Sequence, residues 1–476
     1  MNALDILRNR LPPGAVATDG EILRERAIDS WTLALLRRVR GDELPVPAAV
    51  VFPVSTDEVA TVLAWASETR TAVVPRGAGS GVCGGAQAVP GAVVVDLSRM
   101  DRVTGVDLVS RVVHVQSGLR GDRLEDVLAG HGLTVGHYPQ SIAMSTVGGW
   151  IAASSAGQAS AGFGAIEDVL LGLTAVLPGG EILRCRPVPR SAAGPDLRRL
   201  LVGSEGTLAV VTEATLACRP RPAGWEWLAF SFPEFGALAD GLREVVREPT
   251  GAAVIRGYDE ADAVLSFGSI GHTTGCVSIL GFPSGLSGPG APSALPDRKR
   301  LAAEVIRRAA PAQFIGLAYG DHWWQHRNDA VATYFQIMGP DRAFGPGVMV
   351  DTVEVAGLWS AVPELYVGVR AALAAHSQAV ICHLSHLYPS GSSLYFTFLI
   401  SGADDAGAEE RYLMAWEQVA RACETAGGTI THHHGVGRLK SGFLAGELGG
   451  TGISMLRRLK AAIDPAGIMN PRVLLP

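Results

Sequence analysis

The 476-residue chain has no large excess of charge, no long apolar run and no paired-cysteine motif. Its formal net charge is −6 at pH 7, so it lacks the basic surface with which proteins bind nucleic acid or anionic membranes. No apolar stretch approaches the roughly 20 residues of a membrane-spanning helix, and residues 1–5 lack the pattern of a secretion signal. We therefore expect a cytoplasmic protein with no integral membrane segment, which binds a small molecule and no nucleic acid.

The distribution of cysteines also indicates a cytoplasmic protein. Six cysteines are spread singly along the chain, and none forms a Cys-x-x-Cys pair. This distribution is typical of unpaired thiols in a reducing compartment and argues against a zinc ribbon or a dithiol redox site. The length allows two domains with substantial cores, at roughly 100–200 residues per domain. Glycine is abundant, with 58 residues clustered in particular loops, which predicts many tight backbone turns.

The most informative of these loops lies in residues 73–85, where a short apolar strand runs into a turn with five glycines. Such a turn lets main-chain N–H groups form a nest for phosphate, with Arg76 adding positive charge. The spacing is neither the Gly-x-Gly-x-x-Gly of a Rossmann site nor the Gly-x-x-x-x-Gly-Lys-Ser/Thr of a nucleoside-triphosphate loop. A plain tight turn is the alternative, so the context has to decide.

Three further loops rich in small residues follow in the same half of the chain. They span residues 145–150, 164–168 and 203–213. Small residues let backbone and hydroxyl groups crowd a ligand while burying little side chain of their own. Four separated loops of this kind in one domain imply a long, extended ligand.

The hydrophobic patterns predict an α+β chain in four parts. These are a helical segment at 1–45, a domain at 46–222 that holds the loops, a second domain at 223–425, and a closing loop and helix at 426–476 that pack back on the first domain. In the first domain, residues 55–58 predict the N-terminal cap of a helix, and Pro178-Gly179-Gly180 predicts a hairpin turn. In the second domain, alternating strands and helices predict one sheet. Residues 283–296, rich in Pro, Gly and Ser, predict a surface loop or a disordered link.

In order and spacing, the four loops resemble the FAD-binding domain of the vanillyl-alcohol oxidase and p-cresol methylhydroxylase superfamily. The resemblance implies a two-domain flavoprotein in which a PCMH-type FAD-binding domain carries a cap domain with one antiparallel sheet flanked by helices. It also implies extended FAD, with the pyrophosphate on residues 76–81 and the isoalloxazine towards the cap. Members that attach flavin covalently at this turn use a histidine, whereas Ser80 stands there in this chain, so we expect dissociable FAD. The residues assigned to FAD are Pro75, Arg76, Gly77, Ala78, Gly79, Ser80, Gly81, Pro139, Ser141, Ser145, Thr146, Gly148, Gly149, Gly164, Ile166, Glu205 and Val211.

Histidines cluster at two places in the second half. His383 and His386 precede Tyr395, and the triplet 432–434 follows a Gly-Gly turn. One interpretation of the triplet is a solvated loop. A second is a metal site made by His383, His386 and one histidine of the triplet, although no Asp or Glu flanks either cluster. We favour a third, in which an imidazole near neutrality accepts a proton from the substrate, and we expect no metal.

The segment 431–440, together with 219–222, 255–259 and 464–470, resembles the alkyldihydroxyacetonephosphate synthases, flavoenzymes that exchange an acyl for an alkyl chain. That likeness implies active-site roles for His433, His434, Tyr395 and a buried Arg256. The synthases have an arginine where this chain has His383, which weakens the case for a phosphate substrate. The tail resembles that of glycolate and D-lactate dehydrogenases, but their metal-binding Gly-Asp-Gly-Asn is replaced by Pro-Ser-Gly-Ser at 389–392.

The favoured function is FAD-dependent oxidation of a small alcohol or 2-hydroxy acid, with hydride passing to flavin N5. His433 or His434 would accept the hydroxyl proton, and Tyr395 would orient or relay it. Arg256 would hold an anionic group, and His383 is counted with the catalytic residues. Oxygen or another oxidant would accept the electrons, and a homodimer is an open alternative to a monomer. Two other functions stay open: acyl-for-alkyl exchange without net redox, and oxidation of a natural-product intermediate.

Overall fold

The computed structural model describes residues 2–285 and 295–475. Its first half contains two sheets of four and five strands and a two-stranded pair, and its second half contains a seven-stranded sheet. The elements up to residue 222 are α1 (Ala3–Arg10), β1 (Val16–Ala17), α2 (Gly20–Arg26), α3 (Thr32–Arg40), β2 (Ala49–Val51), α4 (Thr56–Thr69), β3 (Val73–Arg76), β4 (Val93–Asp96), β5 (Val103–Asp107), β6 (Val112–Gln116), α5 (Gly121–Ala129), β7 (Leu133–Thr134), α6 (Val147–Ala153), α7 (Ser160–Phe163), α8 (Ile166–Val169), β8 (Leu170–Val176), β9 (Ile182–Cys185), α9 (Leu197–Leu201), β10 (Val210–Ala217) and β11 (Arg219–Pro220).

The later elements alternate more regularly between strand and helix. They are β12 (Gly224–Phe232), α10 (Phe235–Arg247), β13 (Val254–Tyr258), α11 (Glu260–Phe267), β14 (Cys276–Ser284), α12 (Leu295–Ala309), β15 (Gln313–Gly316), α13 (Ala318–His326), α14 (Asp329–Met338), β16 (Val348–Leu358), α15 (Val362–Ala374), β17 (Ala379–Leu387), β18 (Gly391–Ser401), α16 (Asp405–Ala426) and α17 (Leu444–Ile463). The middle of the predicted loop at 283–296 lies outside the described residues, between the end of β14 and the start of α12.

The four-stranded sheet runs in the order β1-β2-β4-β3, and its last three strands are parallel. Val50, Val74 and Val94 are completely buried, as expected for parallel strands covered on both faces. Ser55 caps α4 by accepting a hydrogen bond from the Glu58 N–H at 3.2 Å, the N-cap that the sequence predicts. In the unit formed by β2, α4 and β3, the glycine turn therefore follows directly from the end of β3.

The five-stranded sheet is antiparallel in the order β5-β6-β10-β8-β9. The predicted hairpin at Pro178-Gly179-Gly180 is confirmed: it joins β8 to β9, and Gly180 has a φ of +92°, a backbone conformation that glycine adopts without strain. Strand β5 does not stand out in the sequence, because only two of its five residues are strongly apolar.

The seven-stranded sheet is antiparallel throughout, in the order β15-β12-β14-β13-β17-β18-β16. This confirms the predicted cap with one antiparallel sheet flanked by helices. Val353, Phe396 and Leu384 on one face are completely buried in a core that includes α10, α15 and α16. Since side chains alternate along a strand, the residues between them face the opposite side, which is turned towards the first domain.

The last helix returns to the first half of the molecule. Leu459 and Ile463 of α17 pack against the core of the five-stranded sheet, and Lys460 Nζ donates to the Thr207 carbonyl at 2.7 Å. Beyond it, Met469 is fully buried and bridges in parallel to Val73 of β3. None of the helices in residues 2–285 and 295–475 combines the length and apolar character of a membrane span.

Candidate active site and flavin-binding loops

The four loops predicted from small residues meet at one place. A Cβ on Gly77 would collide with the Thr146 hydroxyl, so the turn after β3 lies directly against the start of α6. The Glu205 N–H donates to the Ala152 carbonyl at 2.9 Å, and the Ile166 N–H donates to a carbonyl just beyond α6 at 3.2 Å. Short α6 is therefore the point around which the other three loops assemble.

The turn after β3 is a cradle that admits only glycine at two positions. Gly77 faces the Thr146 side chain, and Gly79 has a φ of +74° with its missing Cβ directed at the Arg76 guanidinium. Arg76 is 7% exposed, and its Nη1 donates to the Ile28 carbonyl at 2.8 Å. Burial lowers the pKa of Arg76, while nearby Asp29 opposes that shift. Arg76 thus supports the cradle from beneath, a role that the sequence pattern did not reveal.

The remaining residues of the cradle are more open. Ala78 and Gly81 are exposed, Ser80 and Pro75 are partly exposed, and all four lie at the end of β3 or in its turn. Within this part of the chain, the open surface consists of small side chains and backbone.

The loop before α6 and the first turn of that helix hold six of the other predicted residues. Thr146 is the N-cap, and its hydroxyl accepts from the Gly149 N–H at 3.2 Å. The Ser145 hydroxyl accepts from Trp150 Nε1 at 2.8 Å. Gly148 is buried against the first domain's interior, and Pro139 and Ser141 begin the two turns that precede the helix.

Three other predicted residues lie behind these loops: Gly164, Ile166 and Val211. Gly164 has a φ of +84° and separates α7 from α8. Ile166 is fully buried and Val211 is 8% exposed, packed in the core of the five-stranded sheet. The side chains of Ile166 and Val211 therefore support the loops from the core.

Glu205 links the loops to the histidine segment. Its carboxylate accepts from the Val436 N–H at 2.7 Å and the Gly437 N–H at 2.8 Å. Burial raises the pKa of Glu205 to about 7, and these two hydrogen bonds lower it in part. The loop of the first domain thus holds the segment that follows the triplet.

Strand register aligns four site residues across the cap sheet. Tyr258 on β13 lies opposite His383 on β17, His383 lies opposite Tyr395 on β18, and Tyr395 lies opposite Glu354 on β16. Directly opposed residues of antiparallel strands project to the same face with Cβ atoms roughly 4.5–5.5 Å apart. The His383 and Tyr395 rings stack with centroids 4.9 Å apart.

The triplet lies beside this row. The ring centroid of Tyr395 is 5.5 Å from that of His434 and 5.9 Å from that of His433. Burial lowers the pKa of His434; the Glu354 charge opposes this and the Lys440 charge adds to it. Burial and the neighbouring histidines hold the pKa of His433 well below its usual value. Both imidazoles are therefore neutral near pH 7 and able to accept a proton.

Tyr395 has the opposite preference. Burial raises the pKa of its hydroxyl above the ordinary range, so the phenol keeps its proton at neutral pH. A neutral phenol beside a neutral imidazole can donate a hydrogen bond while the imidazole accepts one. The pair is chemically suited to act on a hydroxyl group.

His383 and His386 differ in their surroundings. His383 Nδ1 lies 2.8 Å from the Asp262 carboxylate, and His386 Nδ1 lies 2.8 Å from the Ser160 hydroxyl of the first domain. Burial and then Arg256 lower the pKa of His383, against the pull of Asp262. A carboxylate that orients an imidazole is a common arrangement in acid–base sites.

The predicted grouping of His383 with His386 is not what the structure brings together. Within the described residues, nitrogens of His386, His432 and His433 lie within 4.8 Å of one another. His432 Nε2 is 2.8 Å from the Tyr388 hydroxyl, and its Nδ1 is 3.0 Å from His433 Nδ1. This spacing is compatible with a cation as well as with proton sharing among imidazoles.

Arg256 stands on β13 next to the row. It is 7% exposed, its Nε donates to the Tyr258 hydroxyl at 3.0 Å, and it lies over the Trp323 ring at 5.4 Å. No carboxylate among residues 2–285 and 295–475 forms an ion pair with it. A nearly buried guanidinium without a counter-ion is well suited to bind an anion.

Sequence reasoning missed Glu354, Lys440 and Asp262. Glu354 and Lys440 are both completely buried, with Lys440 Nζ 2.7 Å from Glu354 Oε2. An acidic residue inside the apolar run of β16 was the available signal, because a charge in a core strand needs a partner. Asp262 gave no such signal, because acidic residues are common in the first turn of a helix.

Comparisons with known proteins agree with this architecture. A model of the FAD-binding domain family matches residues 47–186, and a model of the C-terminal domain of FAD-linked oxidases matches residues 222–474. This chain belongs to the family of FAD-linked oxidases. The predicted resemblance, fold class, enzyme class and FAD cofactor are thereby confirmed.

Three relatives of this FAD-linked oxidase cover most of its length. The uncharacterized FAD-linked oxidoreductase YgcU of Escherichia coli (strain K12) is 30% identical, over 99% of this chain and 98% of its own. Alkyldihydroxyacetonephosphate synthase of Dictyostelium discoideum is 30% identical over 93% of this chain and 75% of its own. Glycolate oxidase subunit GlcD of Bacillus subtilis (strain 168) is 28% identical over 90% and 88%.

Solved structures match this oxidase across both halves. An alkyldihydroxyacetonephosphate synthase superposes with a TM-score of 0.79 at 25% identity, covering 99% of this chain and 84% of the synthase. The 4-ethylphenol oxidase of Gulosibacter chungangensis superposes with a TM-score of 0.76 at 17% identity, covering 100% and 97%. The second likeness concerns the fold alone.

The loops of this chain fit the cofactor. At Gly77 and Gly79 an added Cβ would collide with Thr146 or Arg76, so the turn is closely packed backbone of the kind that can approach phosphate. The convergence of four loops provides the extended surface that a dinucleotide needs. Residues 76–81 would hold the pyrophosphate, and the sheet row with the triplet would face the reactive end.

Proposed function

We propose that this flavoprotein removes two electrons from a small 2-hydroxy acid or alcohol, with His434 or His433 as the base and Tyr395 as its partner. The observation that carries the proposal is the convergence of neutral imidazoles on Tyr395 beside the unpaired guanidinium of Arg256. Bound FAD would supply the two-electron acceptor for the substrate hydride.

The proton steps follow from the charge states of the residues. His434, kept neutral by burial, accepts the proton of the substrate hydroxyl. Tyr395 remains protonated and donates a hydrogen bond to the same oxygen, which orients it towards the imidazole. Such positioned acid–base groups contribute about 10²–10⁴-fold to a rate.

Arg256 would hold the anionic group of the substrate. A carboxylate can accept two parallel hydrogen bonds from a guanidinium, and binding would provide the counter-ion that this buried charge lacks. The aromatic wall at Tyr258 and Trp323 would exclude water from the ion pair.

A second function is supported by the relatives named alkyldihydroxyacetonephosphate synthase. The same residues could serve an exchange of an acyl for an alkyl chain without net redox. His383, which pairs with Asp262 and stays neutral, leaves Arg256 as a lone cation, so we favour a carboxylate over a phosphate at this position. Oxidation of a larger natural-product alcohol would use the same proton steps.

An anaerobic visible spectrum of the purified holoprotein tests the proposal. We expect a 2-hydroxy acid or alcohol from a panel to bleach the flavin bands, with recovery on admitting air or a dye acceptor. Acyl-dihydroxyacetone phosphate with a fatty alcohol is the parallel experiment. Release of fatty acid from that mixture, with a flavin that every alcohol leaves oxidised, would establish the exchange reaction instead.

A further inference from the structure

A single buried carboxylate organises the turn that carries the histidine triplet. Glu354 Oε1 accepts from the backbone N–H groups of His432 at 3.3 Å, His433 at 3.4 Å and His434 at 2.8 Å. The Thr431 hydroxyl donates to the same oxygen at 2.8 Å. Successive N–H groups directed at one point form an anion nest. Here the anion that occupies the nest is a side chain of the protein itself.

The other carboxylate oxygen is held as firmly. Glu354 Oε2 accepts from Lys440 Nζ at 2.7 Å, and both side chains are completely buried. Lys440 Nζ also lies 5.4 Å from the centre of the Trp416 ring. Burying two charges is costly unless the geometry is good and the remaining lone pairs are satisfied. With five donors, Glu354 meets that condition and forms a fixed point on β16.

Burial by itself would raise the pKa of Glu354. The charge that His434 carries once it is protonated at low pH and the charge of Lys440 more than offset burial, so the pKa of Glu354 lies below the usual carboxylate range. The group is therefore ionised at working pH. His434 Nδ1 lies 3.5 Å from Glu354 Oε2, too far for a hydrogen bond, so the carboxylate acts on His434 mainly through its backbone.

The same residue also neighbours the other partner of the acid–base pair. Glu354 lies directly opposite Tyr395 in the register of β16 and β18. One side chain thus touches the backbone of His434 and shares a cross-strand position with Tyr395. Glu354 therefore connects His434 with Tyr395, whose ring centroids are 5.5 Å apart.

We propose that Glu354 is a positioning residue whose carboxylate oxygen sets the place of the His434 imidazole relative to Tyr395. The inference rests on the proposed function, in which these two groups handle the substrate proton. A displacement of about 1 Å can cost on the order of 10²-fold in rate. Because Glu354 is fully buried and its carboxylate is occupied by the triplet backbone, Thr431 and Lys440, its displacement lowers kcat and leaves KM nearly unchanged.

Two variants separate the position of the oxygen from its charge. Glu354→Asp keeps the negative charge and the Lys440 partner. Because its side chain is shorter by one methylene group, its carboxylate oxygen moves away from the N–H groups of the triplet. Glu354→Gln combined with Lys440→Met keeps an acceptor oxygen at the nest and removes both charges, so no buried charge is left unpaired. Asp351→Asn is the matched control, since Asp351 is a buried carboxylate on β16 that bonds the Tyr412 hydroxyl and faces away from the triplet.

The measurement is kcat and KM for reduction of the bound flavin. We expect Glu354→Asp to lose at least about tenfold in kcat at unchanged KM, with the Gln/Met pair and Asp351→Asn much closer to the wild type. The result that decides the proposal is which of the two Glu354 variants loses more kcat. Equal losses, no losses, or a larger loss in the Gln/Met pair would each overturn the proposal.

A second readout needs no substrate. In the holoprotein, the rate at which diethyl pyrocarbonate modifies residues 432–434 reports whether their turn is held. We expect Glu354→Asp to raise that rate and the Gln/Met pair to leave it unchanged. If no alcohol or acid reduces the wild-type flavin, the proposed function fails, and this reactivity still decides the role of Glu354. Equal reactivity in the wild type and Glu354→Asp would overturn it.

Discussion

The loops of the first domain and the cap site are suited to bind their ligands through different chemical groups. The loops present backbone and small side chains, and their specificity lies in what is missing, such as a Cβ on Gly77 or Gly79. The cap site presents large side chains in a row across strands, and its specificity lies in what those groups donate or accept. Substitutions in the loops should therefore remove the cofactor, whereas substitutions in the cap should remove turnover and leave the cofactor bound.

The largest expected effect is on the cap side. His434→Ala should lower kcat by about 10²–10⁴-fold, because the base of the proton transfer is gone, while the flavin spectrum stays that of the wild type. Stopped-flow reduction by the best substrate measures the loss. His131→Ala, at an exposed position between α5 and β7 of the first domain, is the control. Full turnover in His434→Ala would contradict the assignment of the base.

Arg256→Met should act on binding more than on chemistry. Hydrogen bonds to charged groups contribute about 1.5–3 kcal/mol, so KM should rise about 10- to 100-fold with a smaller change in kcat. The control is Arg298→Met, because Arg298 is as deeply buried but donates to the backbone carbonyls of Gly251 and Pro283. An unchanged KM in Arg256→Met would exclude it as the anion-binding group.

On the loop side, Gly79→Ala should weaken FAD binding at least about tenfold, since its Cβ would collide with the Arg76 guanidinium and displace the turn. Gly91→Ala is matched to it, with a φ of +76° and nothing within 4 Å of the added Cβ. Fluorescence titration of the apoprotein gives both affinities. Equal affinities would mean that the cradle does not contact the cofactor.

The smallest effect concerns the contact between the two regions. Burial raises the pKa of Glu205 from 4.5 to about 7, so the folded protein binds this proton more tightly than the unfolded chain. The contribution to stability is present below about pH 4.5 and is lost as pH rises through about 7. Urea unfolding of the wild type and Glu205→Gln at pH 5 and pH 8 should show a difference that depends on pH. Parallel pH dependences would show that Glu205 does not titrate in this range.

Much of the loop side could be predicted from the sequence, because a glycine turn after an apolar strand carries its function in local backbone geometry. The hairpin at 178–180 and the N-cap at Ser55 were predicted for the same reason. The role of Arg76 was not, since nothing local tells whether a guanidinium faces a ligand or turns back beneath its own loop. On the cap side, the histidine triplet stood out in the sequence, the roles of Tyr395 and Arg256 came from the resemblance, and Glu354 and Asp262 were not found at all.

By itself, the sequence determined the glycine-rich loops, the alternation of strands and helices, and the unusual run of three histidines. Each of these is a local property, written in residues that are neighbours along the chain. Only the tertiary structure decided that Tyr258, His383, Tyr395 and Glu354 form one row. The row exists because four strands pair in a particular order and register, and register depends on long-range packing that no local pattern specifies.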